Sequence, residues 1–394
     1  MPRHSALLIN LYYQLILKIE HLQFMNNGDE MTEIEQTNLK INRSLAMAIT
    51  STHLELILLP TEACNFRCSY CYEDYEIGRM PSNIINAIKA LISERVKDLK
   101  SFNLSWFGGE PMLAKDIIID ISKHAKAECE KHGVFFVRGE ITTNGYSLNL
   151  STLKSLVALN QVNFQISLDG FGKAHDLTRK MISGRGTFEK IWQNLLAMQK
   201  SSYDFSVMLR LHLTPSNLIS IETLISHINS TLLSDSRFKV MFKPIGDFGG
   251  SSTGRIATLD KSLEQDIIRK FKEQLHTEVR ESETVVAMDS YYICYAAKPN
   301  SLLIRANGNI GKCTVALSDP RNNIGHINDD GTLSLDNDIL KPWLRGYKEK
   351  DFNVLGCPLN GLPKQPQNEA IITLTRPPQK TPVIQSQINS RVVG

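Results

Sequence analysis

Residues 54–71, LELILLPTEACNFRCSYC, lead from an apolar run straight into three cysteines spaced CxxxCxxC. Leu54 to Leu59 has the length and content of a buried strand. Three thiolates at Cys64, Cys68 and Cys71 on one short loop can converge on a soft metal centre. Three protein ligands rather than four leave a coordination position open, and an open position implies chemistry. The alternative, a structural zinc knuckle, needs a fourth Cys or His close by, and the next histidine along the chain is His124.

Outward from this loop, five further strand-like runs follow: Phe102–Phe107, Arg138–Thr143, Val162–Leu168, Phe205–Leu213 and Phe238–Lys243. Helical patterns fill the gaps. Ser82 is placed to cap a helix whose Ile84, Ile85, Ile88, Leu91, Ile92, Val96 and Leu99 recur at i, i+3, i+4 spacing. Asp116–His132 repeats the pattern and stops at Gly133, a residue suited to a left-handed helix end. Ser151–Asn160, Thr187–Lys200 and Ser216–Leu232 are the other helices. Strand and helix in alternation predict an α/β fold with a parallel sheet and right-handed crossovers, either open and doubly wound or a barrel or part-barrel. Catalytic groups then belong at the C-terminal strand ends.

The remaining chain divides by composition. Residues 1–50 form an N-terminal extension, with an amphipathic helix expected over 5–24. Lys18, Glu20 and His21 interrupt that stretch before a membrane span is complete, and no small-residue cleavage site follows, so the default compartment is the cytoplasm. Residues 51–250 form the core; 251–290 form a linker that follows a Gly/Ser-rich segment and carries a charged helix from about Leu259 to Glu281. Residues 291–359 read as a small module of short strands with hairpin signals at GNIGKC and DDGTL. Residues 360–394 hold five prolines and no aromatic or cysteine, a composition that predicts disorder. With 44 Lys+Arg against 41 Asp+Glu the net charge is +3, which argues against a phosphate-driven nucleic-acid binder. Seven cysteines without an export signal argue for ligands or reactive thiols rather than a disulfide framework.

With Tyr70 directly before the third cysteine, the CxxxCxxC loop resembles the signature of the radical S-adenosylmethionine (SAM) superfamily. The resemblance extends to Phe107-Gly108-Gly109-Glu110-Pro111, Thr142-Thr143-Asn144-Gly145 and Ser167-Leu168-Asp169-Gly170, each after a strand and in the expected order. It implies a partial (β/α)6 barrel of TIM type with a small C-terminal auxiliary iron–sulfur module. It also implies that Cys64, Cys68 and Cys71 hold a 4Fe-4S cluster whose fourth iron SAM chelates. Reduction then yields a 5′-deoxyadenosyl radical that takes hydrogen from the substrate. In the same resemblance Gly108 and Gly109 allow close approach, Glu110 accepts from the SAM ammonium, Ser167 and Arg179 take the ribose and carboxylate, and Tyr70 lies beside the adenine. Asn144 joins this SAM-binding set. An arginine at 179 on the surface and a tyrosine at 70 that merely packs are the plain alternatives.

The later cysteines resemble the opening of the SPASM or twitch auxiliary domain: Cys294, thirteen residues, Gly308, four residues, Cys313. Cys357 starts the expected second run, but Asn360, Pro366 and Ala370 stand where more cysteines belong. Either one auxiliary 4Fe-4S cluster has an unusual fourth site, or the C-terminus is truncated or frameshifted. Buried free thiols are the alternative for Cys294 and Cys313. Cys129 reads as a packing thiol. SPASM-bearing members mostly modify peptides or proteins. Sulfatase-maturing enzymes place an Asp after an auxiliary cysteine, and here Thr314 follows Cys313, which favours a ribosomal-peptide maturase forming a crosslink. The alternatives are a sulfatase maturase and an inactive homologue that binds SAM or peptide. The partners implied are a peptide or protein substrate, a reductant such as flavodoxin or ferredoxin, and a separate leader-peptide recognition protein. Neither nucleic acid nor membrane is expected.

Overall fold

The fold is built on strands β1 (His53–Leu58), β2 (Phe66–Cys68), β3 (Ser101–Trp106), β4 (Phe135–Phe136), β5 (Gly139–Thr143), β6 (Gln161–Leu168) and β7 (Arg179–Met181). They are followed by β8 (Ser206–Leu213), β9 (Phe238–Pro244), β10 (Ser301–Ile304), β11 (Asn309–Gly311), β12 (Gly325–Ile327), β13 (Leu333–Asp336) and β14 (Ile371–Leu374). The computed structural model describes residues 32–246, 257–275, 291–363 and 371–374. β1, β3, β5, β6, β8 and β9 are the six runs expected from the sequence, and they pair in that order, all parallel. Side chains alternate along them. On β8, Val207, Leu209, Leu211 and Leu213 are buried with Ile221, Leu224, Ile225 and Ile228 of the helix Leu218–Thr231, which leaves Met208, Arg210 and His212 on the inner face.

The crossover helices bury one face each. Ser82–Arg95 turns Ile84, Ala87, Ile88, Leu91 and Ile92 inward, where each large apolar side chain contributes about 1.5–3 kcal/mol of burial. Ser82 is the first helical residue rather than the cap. Pro81 occupies the cap with extended backbone and offers no side-chain bond. Lys115–His132 ends at Gly133 in the left-handed region, as expected.

The C-terminal strands continue the barrel sheet. β10 pairs in parallel with β1, in register Glu55↔Ser301 to Leu58↔Ile304, and β11, β12 and β13 continue antiparallel from it. The barrel sheet therefore runs without a break into residues 301–336. Gly308 and Gly331 supply the positive φ at the hairpins. Within the tail expected to be disordered, Ile371–Leu374 forms an edge strand on β13; residues 364–370 and 375–394 lie outside the described residues. The expected helix at 5–24 also lies outside them. Further on, the helix Glu33–Ile49, closed by a Thr32–Glu35 capping box, packs Leu45, Ala46 and Ile49 against Ile293, Ala297 and Leu355. The linker helix is Lys261–Glu273, shorter than the pattern suggested; its expected end at Glu281 lies outside the described residues. Among the described residues no helix is long and apolar enough to cross a membrane.

Candidate active site

The cysteine loop leaves β1 at its C-terminal end and is pinned by a two-stranded ribbon. β2 pairs antiparallel with β7, so Cys68 lies directly across from Arg179. Backbone bonds from Ser69 N to Thr178 O (3.0 Å) and from Ile182 N to Asn65 O (3.0 Å) extend the ribbon at both ends. Arg67 stacks over the Tyr75 ring at 4.2 Å and donates to the Cys64 and Phe66 carbonyls. All three loop cysteines are free thiols.

Burial, the neighbouring Glu110 and the other two cysteines push the Cys64 thiol far up, so the three sulfurs sense one another. Cys68 is pushed up to about 11, first by burial and against the charge of Arg179. Burial raises Cys71 as well, while a hydrogen bond with Tyr75 lowers it. Such thiols stay protonated unless a metal displaces the proton. Yet no group of three His, Cys, Asp or Glu among the described residues closes around a single ion. A donor set of three coupled thiols on one loop fits a soft metal centre with one position left open.

The second strand end supplies a tight backbone cradle. A Cβ on Gly109 would lie 2.5–2.7 Å from the carbonyls of Ala63 and Glu62, and one on Gly108, at φ +108°, would meet the Thr61 carbonyl. Only glycines let this turn lie against the loop that starts the cysteine motif. Glu110 is fully buried, and its carboxylate accepts from Thr143 Oγ1 (2.6 Å), Asn144 N (2.6 Å) and Met112 N (3.0 Å). Burial raises its carboxyl, and those three donors oppose that rise. Glu110, expected to face the SAM ammonium, is seen here to clamp the β3 turn to the β5 turn. Asn144 continues the clamp: its Nδ2 donates to Asn65 Oδ1 (2.9 Å) inside the cysteine loop.

Deeper in the barrel, Tyr70 is the hub of a network the sequence did not reveal. Its hydroxyl donates to Asp169 Oδ1 (2.9 Å), lies 2.9 Å from His212 Nδ1, and accepts from Arg179 Nη1 (2.8 Å). Thr178 Oγ1 donates to the other Asp169 oxygen at 2.6 Å. Burial would raise the Asp169 carboxyl, but the bond from His212 and the charge of Arg179 outweigh it and hold it far below the carboxylate range. Burial pushes His212 down to about 4, so its 3.2 Å contact with Asp169 is a neutral hydrogen bond, not an ion pair. Arg179, 8% exposed, keeps a buried Nε with no partner, a donor available to a ligand. Ser167 lies on the inner face of β6, paired with Arg210 on β8. The free thiols, the glycine cradle and this orphaned donor fit a 4Fe-4S cluster with SAM.

A second group of thiols forms at the other end of the sheet. The segment carrying Cys294 leads into β10, which runs parallel to β1, and Cys313 follows β11 as it returns. Cys294 and Cys357 both push Cys313 up, after burial, to about 11, and Cys357 likewise raises Cys294. The fold therefore gathers Cys294, Cys313 and Cys357. Cys129, buried mid-helix, faces the core. Thr314 binds Tyr295: its N–H donates to the phenol oxygen (3.0 Å), and the two hydroxyls are 2.8 Å apart.

Comparison with known proteins agrees with this geometry. The radical SAM superfamily model matches residues 58–226. The chain is 25% identical over 169 residues to a cysteine-type anaerobic sulfatase-maturating enzyme of Clostridium novyi, covering 39% of this chain and 43% of the relative. It is 29% identical over 159 residues to a GTP 3′,8-cyclase of Xanthomonas campestris, covering 38% and 43%. The chain thus aligns with less than half the length of the curated relatives it matches. Among solved structures, native anSMEcpe with bound AdoMet and Kp18Cys peptide superposes with a TM-score of 0.56 at 16% identity, over 77% of this chain and 88% of that one, which is a shared fold. Residues 58–226 carry a radical SAM domain, set in a parallel sheet whose partial (β/α)6 barrel is the fold shared with that neighbour.

Proposed function

We propose that this protein is a radical SAM enzyme that abstracts hydrogen from a side chain of a peptide or protein, as a maturase forming a crosslink in a ribosomal peptide. The observation that carries the reading is the grouping of Cys64, Cys68 and Cys71 beside the Gly108–Gly109 cradle, with a second thiol group at the other end of the sheet. In this reading the three loop cysteines hold the 4Fe-4S cluster. Arg179 and Ser167 orient the carboxylate and ribose of SAM, and Glu110 and Asn144 fix the turn against which its methionine end rests. The bound pair supplies one-electron cleavage of the sulfonium and hence a 5′-deoxyadenosyl radical. Tyr70, held by Arg179 and Asp169, fixes the wall beside the adenine.

Cys294, Cys313 and Cys357 would hold the auxiliary cluster of a twitch-like module spanning residues 291–359, with one ligand position left to a non-cysteine group. Thr314, bound to Tyr295 where a sulfatase maturase carries an aspartate base, favours crosslinking over formylglycine formation. The cyclase and the sulfatase maturase align over less than 40% of this chain, so the radical SAM domain alone does not choose between their chemistries. The first test is 5′-deoxyadenosine formation by anaerobically reconstituted, reduced protein, beside a Cys64→Ala, Cys68→Ala, Cys71→Ala control. Product from the native chain only is expected. Co-expression with short peptides encoded nearby should then give a mass loss of two hydrogen atoms per crosslink; unchanged masses across all candidates would overturn the maturase reading.

A further inference from the structure

The inner face of the barrel holds two cations that the reading above does not use. Arg210 is the β8 residue paired with Ser167 on β6 and Met241 on β9; Lys243 pairs with His212. Paired residues on neighbouring strands point the same way, so both cations share the inner face with Ser167. The Nε of Arg210 is buried without an acceptor. Among the described residues no carboxylate forms an ion pair with either side chain. Asp169, which attracts Arg210, is already occupied by Tyr70, Thr178 and His212. Burial, followed by the charge of Arg210, depresses Lys243, as expected of two like charges on one partly desolvated face.

Two half-buried cations on one inner face, one of them with a buried donor that has no acceptor, call for an anion. Their position says which anion. Arg210 faces Tyr70, Tyr72 and Arg179 on the cysteine-loop side, whereas Lys243 feels Glu264 and Cys357 on the other. The pair thus lies between the two thiol groups, where a substrate must sit for hydrogen abstraction. We infer that Arg210 and Lys243 form a specificity pocket for a carboxylate of the peptide substrate, holding an Asp or Glu side chain, so that a neighbouring residue is presented for reaction. This rests on the maturase reading and names what its substrate carries.

Saturation-transfer NMR on the full chain, anaerobically reconstituted and with SAM present, tests it with three probes: N-acetyl-glutamate amide, N-acetyl-glutamine amide and N-acetyl-glutamine with a free α-carboxylate. The glutamate probe should bind about tenfold more tightly than its neutral isostere, equivalent to about 1.4 kcal/mol. Arg210→Gln and Lys243→Gln should each erase most of that preference, and Arg210→Lys, which keeps the charge, should retain part of it. Equal binding of the glutamate and glutamine amides would overturn the pocket. So would a preference abolished by adding SAM, which would assign the cations to the cofactor's carboxylate, and so would tighter binding of the α-carboxylate probe, which would place a chain terminus there. Absence of 5′-deoxyadenosine in the parallel cleavage assay would sink the maturase reading instead.

Discussion

Replacing Arg305 should loosen the join between the cysteine loop and the C-terminal strands. Arg305 follows β10, and its guanidinium grips Glu62, two residues before Cys64: Nε lies 3.1 and 3.2 Å from the two carboxylate oxygens, and Nη2 lies 2.5 Å from Oε2. Nη1 also donates to the Leu317 carbonyl at 2.8 Å. The Glu62 side chain is 1% exposed, so Arg305→Met strands a buried carboxylate with only the long 3.4 Å donation from Ala306 N. Breaking one side of such a pair costs about 3–5 kcal/mol, and the lost bond to Leu317 adds about 1. For a domain of this class that is a fall in melting temperature of roughly 10 °C.

Differential scanning fluorimetry of Arg305→Met, Glu62→Leu and the double variant measures it. The double variant should recover most of the loss, because two apolar side chains of similar volume leave no unpaired charge. The deficit of Arg305→Met should also grow with pH. Glu73, pushed up to about 8 by burial and then by Glu62, against the pull of Arg305, loses its proton beside Glu62 as pH rises through that value. A single variant within about 0.5 kcal/mol of wild type, or a double variant as unstable as the sum of the singles, would refute the reasoning.

Gly109→Ala should abolish cluster loading, read as loss of iron and of visible absorption, because its Cβ would lie 2.5 Å from the Ala63 carbonyl oxygen. Glu110→Gln replaces an acceptor of three donors with a group that must present an NH2 to one of them; a loss of about 1.5–3 kcal/mol in urea unfolding is expected. Changing Cys294, Cys313 and Cys357 together to Ala should lower bound iron by about four atoms per chain, whereas unchanged iron would show the second thiol group to be empty. His175 and His212 are each pushed down to about 4 by burial from 6.5, so the native chain excludes protons that the unfolded chain binds. Their stabilisation is therefore complete above pH 6.5 and drains away as pH falls from 6.5 to 4; a urea midpoint flat across that window would contradict it.

The barrel was legible because its signals are local. Each inner strand is a short run of apolar or alternating residues, and each motif sits where a strand stops, so periodicity places both to within one or two residues. What escaped depends on contacts distant in sequence. Nothing in SLLI at 301–304 says that it will pair with β1 rather than form a separate sheet, since parallel pairing leaves no turn to read. His212 was missed for a related reason. A histidine in VMLRLHL reads as an exception to strand patterning until His175, Asp169 and Tyr70 are seen around it, and the signal available was its inward register two residues after Arg210. Glu110 was legible as a turn carboxylate, but its three donors lie on another turn and on its own backbone.

The continuity of the sheet constrains any mechanism that uses both thiol groups. β1 delivers the Cys64 loop from its C-terminal end, and β10, its parallel neighbour, is entered from the N-terminal end by the segment carrying Cys294. The two groups therefore sit at opposite ends of one strand pair, and the ladder between them is fixed by hydrogen bonds and by the Glu62–Arg305 pair. A ligand that lies near both must lie along the strands, against their inner face. The inner face also carries a row of polar groups that crosses the strands, from Ser167 on β6 through Arg210 on β8 to Lys243 on β9. Loss of the Glu62–Arg305 join should therefore impair turnover more than it impairs cluster loading: each thiol group survives on its own loop, but the join that sets one against the other is gone.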